Sequence, residues 1–323
     1  MTENVLNAVN AAVILTRIKS VTTACSACIP GRTTTEFLFP AFSWNMNMNH
    51  PGRIKMAYCD IGLNLFCRQF PDPDNVIREA QIHGITCILT GSDDEENHLV
   101  AEYVSSHSGV FGTVGIHPHQ ADHLTDEALN FIRSAQSLKG IVAVGECGLD
   151  YDRMFSKKEN QLRCLERHIE IAEETGKPMF LHERNAFHDL REMFRRHPGL
   201  CSRCVVHCFT GNRQQLSDYL DMGFMIGITG WICDDRRAGD LREAVSILPL
   251  DRVMIETDAP YLTPKNVPGL SRVNDPTNIR YVAHDLAVYM HVDEEELKDR
   301  VLKNTATFFN IPIQDLALEV SAQ

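Results

Sequence analysis

Two carboxylates and two imidazoles stand where short apolar segments of this chain end. They are Glu146, His182, His207 and Asp258. Such a side chain at the edge of a buried segment costs free energy unless it is paired or binds a metal ion. A single histidine of this kind could be hydrogen-bonded near the core, but four segments that end this way favour one metal site if their ends converge. Carboxylate and imidazole donors without a thiolate suit Mg²⁺, Mn²⁺ or Zn²⁺.

The chemistry that this donor set favours is hydrolysis. A divalent ion lowers the pKa of a water molecule so that a nucleophile forms near neutral pH, and a second ion can stabilise the attacking and leaving oxygens. The sequence therefore predicts a metal-dependent hydrolase, with Mg²⁺ as the expected cofactor and Mn²⁺ or Zn²⁺ as alternatives.

The segments that would position these side chains recur regularly along the chain. Eight apolar segments alternate with amphipathic stretches of helical length, and they span residues 57–65, 86–91, 110–118, 141–150, 178–183, 204–209, 224–230 and 253–260. Their nearly continuous hydrophobicity suits parallel strands that are buried on both faces. Eight strand and helix units in about 250 residues predict an α/β protein with a TIM (β/α)8 barrel, whose functional groups lie at the carboxyl ends of the strands. The alternative, an open doubly wound sheet, normally has fewer strands and a GxGxxG loop, which is missing here.

The regions outside this alternation define the expected domain boundaries. Residues 1–55 carry few charges and show no alternation of strand-like and helix-like segments, so we expect a poorly structured N-terminal extension. Its basic, Ser- and Thr-rich composition is weakly similar to a transit peptide, although an unstructured extension or a start codon placed too far upstream explains it equally well. Residues 56–312 form the expected barrel domain, in which 293–310 supply an extra C-terminal helix. Residues 313–323 form the expected tail.

The composition excludes several classes of protein. The 323 residues include 31 Lys and Arg against 43 Asp and Glu, a net charge of −12, so no general basic field would hold duplex DNA by displacing counterions. No charge-free apolar stretch is long enough to cross a membrane. The 11 cysteines are an odd number spread over the chain, which is typical of reduced thiols inside a cell. We therefore expect a cytoplasmic protein with no membrane segment and no obligate protein partner, with mitochondrial or nuclear location as the alternative.

Seven short motifs follow one another in the predicted barrel. They are GIHPH (115–119), GECGLDY (145–151), LHER (181–184), HCFTG (207–211), GITGW (227–231), ETDAPY (256–261) and SRVNDP (271–276). Together they resemble the TatD family of metal-dependent deoxyribonucleases, and the resemblance covers residues 58–312. Each motif is weak alone, whereas seven in this order are highly specific.

The resemblance implies an amidohydrolase-like barrel that uses Mg²⁺ or a similar ion to hydrolyse phosphodiesters. Members often act as 3′ to 5′ exonucleases on single-stranded DNA, with RNA as a further substrate, in DNA degradation or repair. Carried over by position, Glu146, His182, His207 and Asp258 would bind the metal. Glu146 would also bridge two ions, and Asp258 would orient or deprotonate the attacking water. The first histidine of the GxHPH motif, His117, would lie in the cleft and contact the substrate. The resemblance points less directly to its second histidine, His119.

One position departs from many relatives. Their first strand carries an Asp-x-His-x-His motif, whereas this chain has Asp60, Gly62 and Asn64 at the corresponding positions. The founding bacterial type of the family resembles this chain in having the same GxN pattern, so the departure does not imply inactivity. We expect one firmly held ion and a second that binds weakly or only with substrate, because two imidazoles are missing.

Three further residues are candidates for substrate binding. Arg184 and Arg272 could each donate paired hydrogen bonds to a phosphate, and Trp231 could stack on a base at a single-strand end. Two alternatives stay open. Arg184 could form a salt bridge that orients Glu146 or Asp258, and Trp231 could serve only in the packing of its own loop.

Two other functions compete with a nuclease. An amidohydrolase that cleaves a C–N or ester bond on the same barrel usually relies on the histidine pair of strand one and often on a carbamylated lysine of strand four, and this chain has neither. A barrel that had become a binding module would be expected to have lost its ligands, but none of the four is missing.

Overall fold

The computed structural model describes residues 58–316. The expected N-terminal extension, residues 1–55, lies outside this range, as does most of the expected tail. Eight strands pair in parallel and in chain order. They are β1 (Tyr58–Leu63), β2 (Ile85–Thr90), β3 (Val110–Val114), β4 (Ile141–Asp150), β5 (Met179–Arg184), β6 (Cys204–Val206), β7 (Met225–Ile228) and β8 (Val253–Ile255).

The sheet closes on itself where its first and last strands meet. Leu63 forms a parallel bridge with Ala259, and the backbone N–H of Asn64 donates to the carbonyl oxygen of Ala259 at 2.9 Å. Every residue of β1, β2, β3 and β4 is buried, as expected for strands covered on both faces. The predicted TIM barrel is therefore confirmed.

Helices follow the strands and cover the outside of the barrel. They are α1 (Pro73–Ile82), α2 (Asp94–Ser106), α3 (Asp126–Ala135), α4 (Lys158–Thr175), α5 (Phe187–Arg195), α6 (Arg213–Met222), α7 (Gly239–Val245), α8 (Ile279–Met290), α9 (Glu294–Phe308) and α10 (Ile313–Leu316). The predicted extra C-terminal helix is confirmed as α9, and α10 forms the start of the segment expected as a tail. None of the described helices is long and apolar enough to span a membrane.

Polar side chains fix the starts of four of the helices that follow strands. Asp72, Asp93, Thr125 and Asn212 each accept a hydrogen bond from the backbone N–H three residues further on. Such a cap satisfies a donor that the first helical turn leaves unpaired. Because each helix begins above the carboxyl end of a strand, the caps also fix the loops that surround the candidate site.

The amino end of the barrel interior is filled by one apolar cluster. Its buried members are Cys59, Ile61, Ile88, Phe111, Val142, Ala143, Phe180, Val205, Met225, Met254, Ala306, Phe309, Ile311 and Leu316. The last four belong to α9, to α10 or to the segment between them, so the C-terminal helices close this end of the barrel. A larger apolar core lies between the strands and the surrounding helices.

Two strands lose their regular register at the level where polar side chains begin. The pairing of β4 with β5 shifts between Val144 and Cys147, and the pairing of β1 with β2 shifts between Asp60 and Leu63. An extra residue of this kind bends a strand and re-aims its side chains. One shift contains Glu146, so an irregularity of β4 sets the direction of a candidate metal ligand.

Candidate metal centre and cleft

Three imidazole rings converge on one oxygen of Glu146. Its Oε1 lies 2.8 Å from His207 Nε2, 2.9 Å from His182 Nδ1 and 3.3 Å from His117 Nε2. Glu146 lies in β4 and His182 in β5, whereas His207 directly follows β6 and His117 lies in the segment after β3. The barrel thus brings three of the four predicted ligands together with His117, which was predicted to contact the substrate.

This cluster has the composition and spacing that a divalent cation requires. Ligand atoms of His117, Glu146 and His182 all lie within 4.8 Å of one another. Two ring nitrogens, His182 Nε2 and His207 Nδ1, are buried without a hydrogen-bond partner among the described residues. A buried polar atom in that state costs about 1–3 kcal/mol, and such atoms are uncommon outside functional sites. The imidazole and carboxylate donors therefore fit a bound metal ion.

The charges of the cluster depend on one another. Burial lowers the pKa of His117 to about 4. Burial also acts against the charged form of His207, but Glu146 and Glu256 outweigh it and hold that pKa well above its ordinary value. Despite its burial, Glu146 has a pKa well below the ordinary value because His117 and His207 favour its charged form. Because an imidazole nitrogen must be unprotonated to bind a cation, metal binding at this cluster is coupled to its protonation.

Glu256, directly after β8, is a fully buried carboxylate that the sequence interpretation did not single out. Its Oε1 accepts a hydrogen bond from the backbone N–H of Cys208 at 2.6 Å, and its Oε2 lies 3.5 Å from His207 Nδ1. Two glycines make room for it, because a Cβ on Gly62 would lie 2.5 Å from Oε2 and a Cβ on Gly227 would lie 2.8 Å from Oε1. The carboxylate thus occupies space that a side chain at position 62 would need.

Asp258 lies in the loop after β8 and is held there by the end of β1. Its backbone is left-handed, with φ of 53°, a conformation that non-glycine residues adopt mainly at functional sites and turns. Asn64 Nδ2 donates to Asp258 Oδ1 at 2.9 Å. Burial raises the pKa of Asp258 to about 7, although the charge of His207 opposes this. A carboxylate with a pKa near neutrality suits general base catalysis.

Asp150, the last residue of β4, is hydrogen-bonded to His119 and lies beside His182. Its Oδ2 lies 2.7 Å from His119 Nε2 and 3.4 Å from His182 Nε2. Its Oδ1 accepts hydrogen bonds from the backbone N–H groups of Asp152 and Arg153, both at 2.9 Å. Carboxylates that fix the orientation of a ligand histidine in this way are usual around protein metal sites.

One cavity of about 460 Å³ at the carboxyl end of the barrel contains these groups. Its lining includes all four predicted metal ligands, and also His117, Arg184 and Trp231 among the predicted substrate-binding residues. Arg272 is exposed and is not among the lining residues, and its carbonyl oxygen accepts a hydrogen bond from Thr263 Oγ1 at 3.1 Å. The suggested contact of Arg272 with phosphate stays a prediction.

Arg184 and Trp231 lie together at the rim of this cavity. The guanidinium carbon of Arg184 is 5.4 Å from the centre of the Trp231 ring, and that of Arg237 is 4.0 Å from the same centre. Arg184 Nε also donates to Asp152 Oδ2 at 3.2 Å, so its salt-bridge partner is neither Glu146 nor Asp258. Arg237 thus brings a second guanidinium to the indole, and its Nε donates to Asp234 Oδ2 at 2.8 Å.

Two exposed aromatic residues of the cavity were not predicted. Phe155 is 65% exposed and Tyr261 is 53% exposed, and both line the cavity that contains the predicted metal ligands. The Phe155 ring lies 4.7 Å from the His119 ring in an edge arrangement. Exposed apolar side chains grouped at a cleft are typical of binding surfaces. The sequence offered only the ETDAPY motif as a signal for Tyr261 and none for Phe155.

Comparisons with known proteins agree with this geometry. A sequence family described as "TatD related DNase" matches residues 59–310. The "3'-5' ssDNA/RNA exonuclease TatD" of Klebsiella pneumoniae is 36% identical over 265 residues, which cover 79% of this chain and 98% of that protein. The protein of the same name from Musicola paradisiaca is 38% identical over 257 residues, covering 78% and 97%. The solved structure of YJJV, a TatD homolog from Escherichia coli, is similar with a TM-score of 0.73 at 27% identity, covering 80% of this chain and 99% of that one. This chain therefore belongs to the TatD related DNase family.

Proposed function

We propose that this protein is a metal-dependent nuclease that removes nucleotides from the 3′ end of single-stranded DNA, with single-stranded RNA as a second substrate. Its family and the names of its relatives support this class of reaction. The observation that carries the proposal is the convergence of His117, His182 and His207 on Glu146 in an open cleft that Arg184 also lines.

We infer that Glu146, His182, His207 and Asp258 hold a divalent ion, and that His117 lies close enough to join them. Mg²⁺ is the expected ion, with Mn²⁺ and Zn²⁺ as alternatives, because the donors are imidazoles and carboxylates without a thiolate. A bound ion would act as a Lewis acid toward the phosphate and would lower the pKa of a water molecule.

Asp258 accepts the proton of the attacking water in this proposal. Asn64 Nδ2 donates to its Oδ1 at 2.9 Å and so holds the carboxylate in place from the end of β1. Arg184 binds the phosphate chain, and Trp231 offers part of its indole to a base. Arg184 thus provides positive charge at the cleft, although the chain as a whole has a net charge of −12. Trp231 provides a surface on which a base can stack.

The same geometry supports one firm ion and one weak ion. Gly62 and Asn64 contribute no imidazole, and the carboxylate of Glu256 fills the space beside Gly62. A second ion would therefore complete its shell only with water or with substrate phosphate, as Mg²⁺ often does. Calorimetric titration of the metal-free protein with Mg²⁺ or Mn²⁺ should give one tight site. Two tight and equivalent sites without substrate would contradict this proposal.

Digestion of labelled oligonucleotides tests the proposed reaction. With Mg²⁺, a 5′-labelled single strand should shorten step by step from its 3′ end, whereas a blunt duplex should be cut much more slowly. EDTA should stop the reaction, and Glu146→Gln should abolish it without unfolding the protein. Absence of metal-dependent cleavage in the wild-type protein would refute the proposal, and release of internal fragments would refute the exonuclease mode.

The alternative of an amidohydrolase for C–N or ester bonds has less support. That chemistry on this type of barrel usually needs the histidine pair of strand one, and here the space beside position 62 holds Glu256 instead. Hydrolysis of amide substrates together with inertness toward oligonucleotides would favour this alternative.

We also propose that the protein works in a reducing compartment, the cytoplasm, with mitochondria or the nucleus as alternatives. Every cysteine that the structure describes is a free thiol, and the total in the chain is odd. Fusion of residues 1–55 to a fluorescent reporter would show whether this segment directs transport into an organelle.

A further inference from the structure

Arginines and an unpaired carboxylate lie on opposite sides of the catalytic cavity. Arg153 and Arg184 come from the ends of β4 and β5, whereas Ser92, Glu96 and Tyr261 come from the segments after β2 and β8. In an eight-stranded barrel with strands in chain order, the β4 and β5 side faces the β8, β1 and β2 side. We call Arg153 and Arg184 the cationic wall, although Asp150 lines the same side and Arg184 Nε donates to Asp152 Oδ2. We call Ser92, Glu96 and Tyr261 the acidic wall, after the carboxylate of Glu96.

Glu96 belongs to the acidic wall and has no role in the proposed metal centre. It lies in the first turn of α2, but the helix is capped by Asp93, whose Oδ1 accepts from the backbone N–H of Glu96 at 2.9 Å. The carboxylate of Glu96 instead faces the cavity, where Ser92 Oγ donates to its Oε2. No arginine or lysine in residues 58–316 forms an ion pair with it, and Asp93 and Glu146 are the charges that act on it most. Glu96 is thus a half-buried acceptor without a counter-charge, in a cleft for a polyanion.

A carboxylate of this kind interacts differently with a strand end that carries a hydroxyl and with one that carries a phosphate. A carboxylate accepts a hydrogen bond from a sugar hydroxyl, but it repels a phosphate because both groups are negative. Internal nucleotides carry phosphate on both sides of the sugar, whereas a terminal nucleotide has a free hydroxyl on one side. The cationic wall suits the phosphate chain, and the acidic wall suits the terminal nucleoside.

Tyr261 adds a surface for the base of that nucleoside. Its ring is 53% exposed, and Tyr261 and Glu96 both line the cavity that contains the predicted metal ligands. An aromatic ring in such a position stacks on any base without reading its sequence.

We propose that Glu96, oriented by Ser92, accepts a hydrogen bond from the 3′-hydroxyl of the terminal nucleotide, so that the cleft selects strand ends with a hydroxyl over ends with a phosphate. This inference rests on the proposed nuclease function and specifies how that site recognises its substrate. It assigns to the acidic wall a role in choosing the end and the direction of digestion.

The test compares one 5′-labelled single strand in two forms, with a 3′-hydroxyl and with a 3′-phosphate. The proteins are the wild type, Glu96→Gln, Ser92→Ala and, as matched control, Glu95→Gln, which changes an exposed glutamate of the same helical turn that does not line the cavity. Burial raises the pKa of Glu96, so kcat/KM is measured at pH 8, where the carboxylate is more fully charged.

Wild type should prefer the hydroxyl end by about 10- to 100-fold, the range expected for a hydrogen bond to a charged group. Glu96→Gln should reduce this ratio at least about 10-fold by slowing hydroxyl ends and accelerating phosphate ends. Ser92→Ala should shift the ratio in the same direction, and Glu95→Gln should match wild type. A merely structural defect would slow both substrates together and would overturn the inference.

Equal rates of wild type on the two ends would also overturn the inference while leaving the nuclease function intact. If wild type cleaves neither form with Mg²⁺, the proposed nuclease function itself fails, and the inference fails with it. The two failures are therefore distinguishable from the wild-type data alone.

Discussion

The two ends of the barrel are built from the same eight strands but contain opposite kinds of side chain. At the amino end the interior is filled by an apolar cluster and is closed by Phe309 and Leu316. The carbonyl oxygen of Leu316 accepts a hydrogen bond from the buried Thr86 Oγ1 at 3.1 Å. At the carboxyl end, buried carboxylates such as Glu146 and Glu256 face imidazoles, and several buried polar atoms have no partner among the described residues.

This difference shows how one fold separates stability from chemistry. Apolar burial at the amino end contributes favourable free energy of folding, whereas groups that need a ligand or a proton at the carboxyl end cost free energy until they obtain it. Substitutions at the amino end should therefore change stability without changing the rate of the folded enzyme. Substitutions at the carboxyl end should do the reverse, and the following experiments test that division.

The largest effect is expected from the loss of a ligand imidazole. His182→Ala or His207→Ala should lower kcat on a single-stranded oligonucleotide by about 1,000-fold or more, because the metal would lose a donor and Glu146 its partner. Circular dichroism should still show a cooperative thermal transition. His188→Ala, an exposed histidine on α5, is the control and should behave as wild type. Full activity in both ligand variants would disprove the assignment of the centre.

The strongest effect on stability is expected at the opposite end. Phe309→Ala should lower the free energy of unfolding by about 3–5 kcal/mol, because it leaves a cavity in the cluster that closes the barrel. Urea denaturation followed by fluorescence measures this value. Phe308→Ala, at a partly buried neighbour, should cost clearly less. If Phe309→Ala reduced kcat per folded molecule instead, the proposed separation of the two ends would be wrong.

A smaller effect is expected from removing the negative charge beside His207, a predicted metal ligand. Glu256→Gln keeps an oxygen that can accept from the Cys208 N–H but removes the negative charge beside His207 Nδ1. Metal affinity or activity should fall by about 10- to 100-fold, as is usual for the partner of a ligand histidine. Metal titration of the variant against Asp251→Asn, an exposed carboxylate, measures the change. Unchanged metal affinity and activity would show that Glu256 only fills space.

The smallest effect concerns the dependence of stability on pH. Asp60 is buried, and burial raises its pKa to about 7 even though it accepts hydrogen bonds from Thr257 and Gly62. Between the unfolded pKa of 3.8 and about 7, the folded state binds the extra proton, so stability must decrease as pH rises.

Relative to Asp60→Asn, the wild-type free energy of unfolding should therefore fall by about 2 kcal/mol between pH 5 and pH 7. Urea denaturation in the presence of EDTA measures both proteins without interference from metal. A difference that rises with pH, or does not change, would show that Asp60 is charged in the folded protein throughout this range.

The sequence predicted the barrel and the residues of its centre for a simple physical reason. Parallel strands that are buried on both faces must be continuously hydrophobic, so a polar residue at the end of such a segment stands out. Glu146, His182, His207 and Asp258 are visible in this way, and the structure places all of them in one cavity. Their roles as ligands stay predictions, since the geometry supports but does not test them.

Other groups of the site could not be predicted because they depend on contacts across the barrel. Glu256 can be buried only because Gly62 and Gly227, on two other strands, have no side chain in the space of its carboxylate. A single sequence does not show that these three positions lie side by side. The ETDAPY motif did contain a usable signal, since Glu256 is a carboxylate that directly follows an apolar strand, as the predicted ligand His207 does. Nothing in the sequence indicates that Phe155 is exposed, because a phenylalanine is usually expected to be buried.

The position of Glu256 between two glycines has a consequence for substitutions at those glycines. A histidine at position 62 would place its Cβ only 2.5 Å from Glu256 Oε2, so the imidazole and the carboxylate would compete for one volume. An imidazole can therefore enter this part of the centre only if the Glu256 carboxylate moves. The missing side chain of Gly62 is thus as much a part of the site as the carboxylate that fills its place.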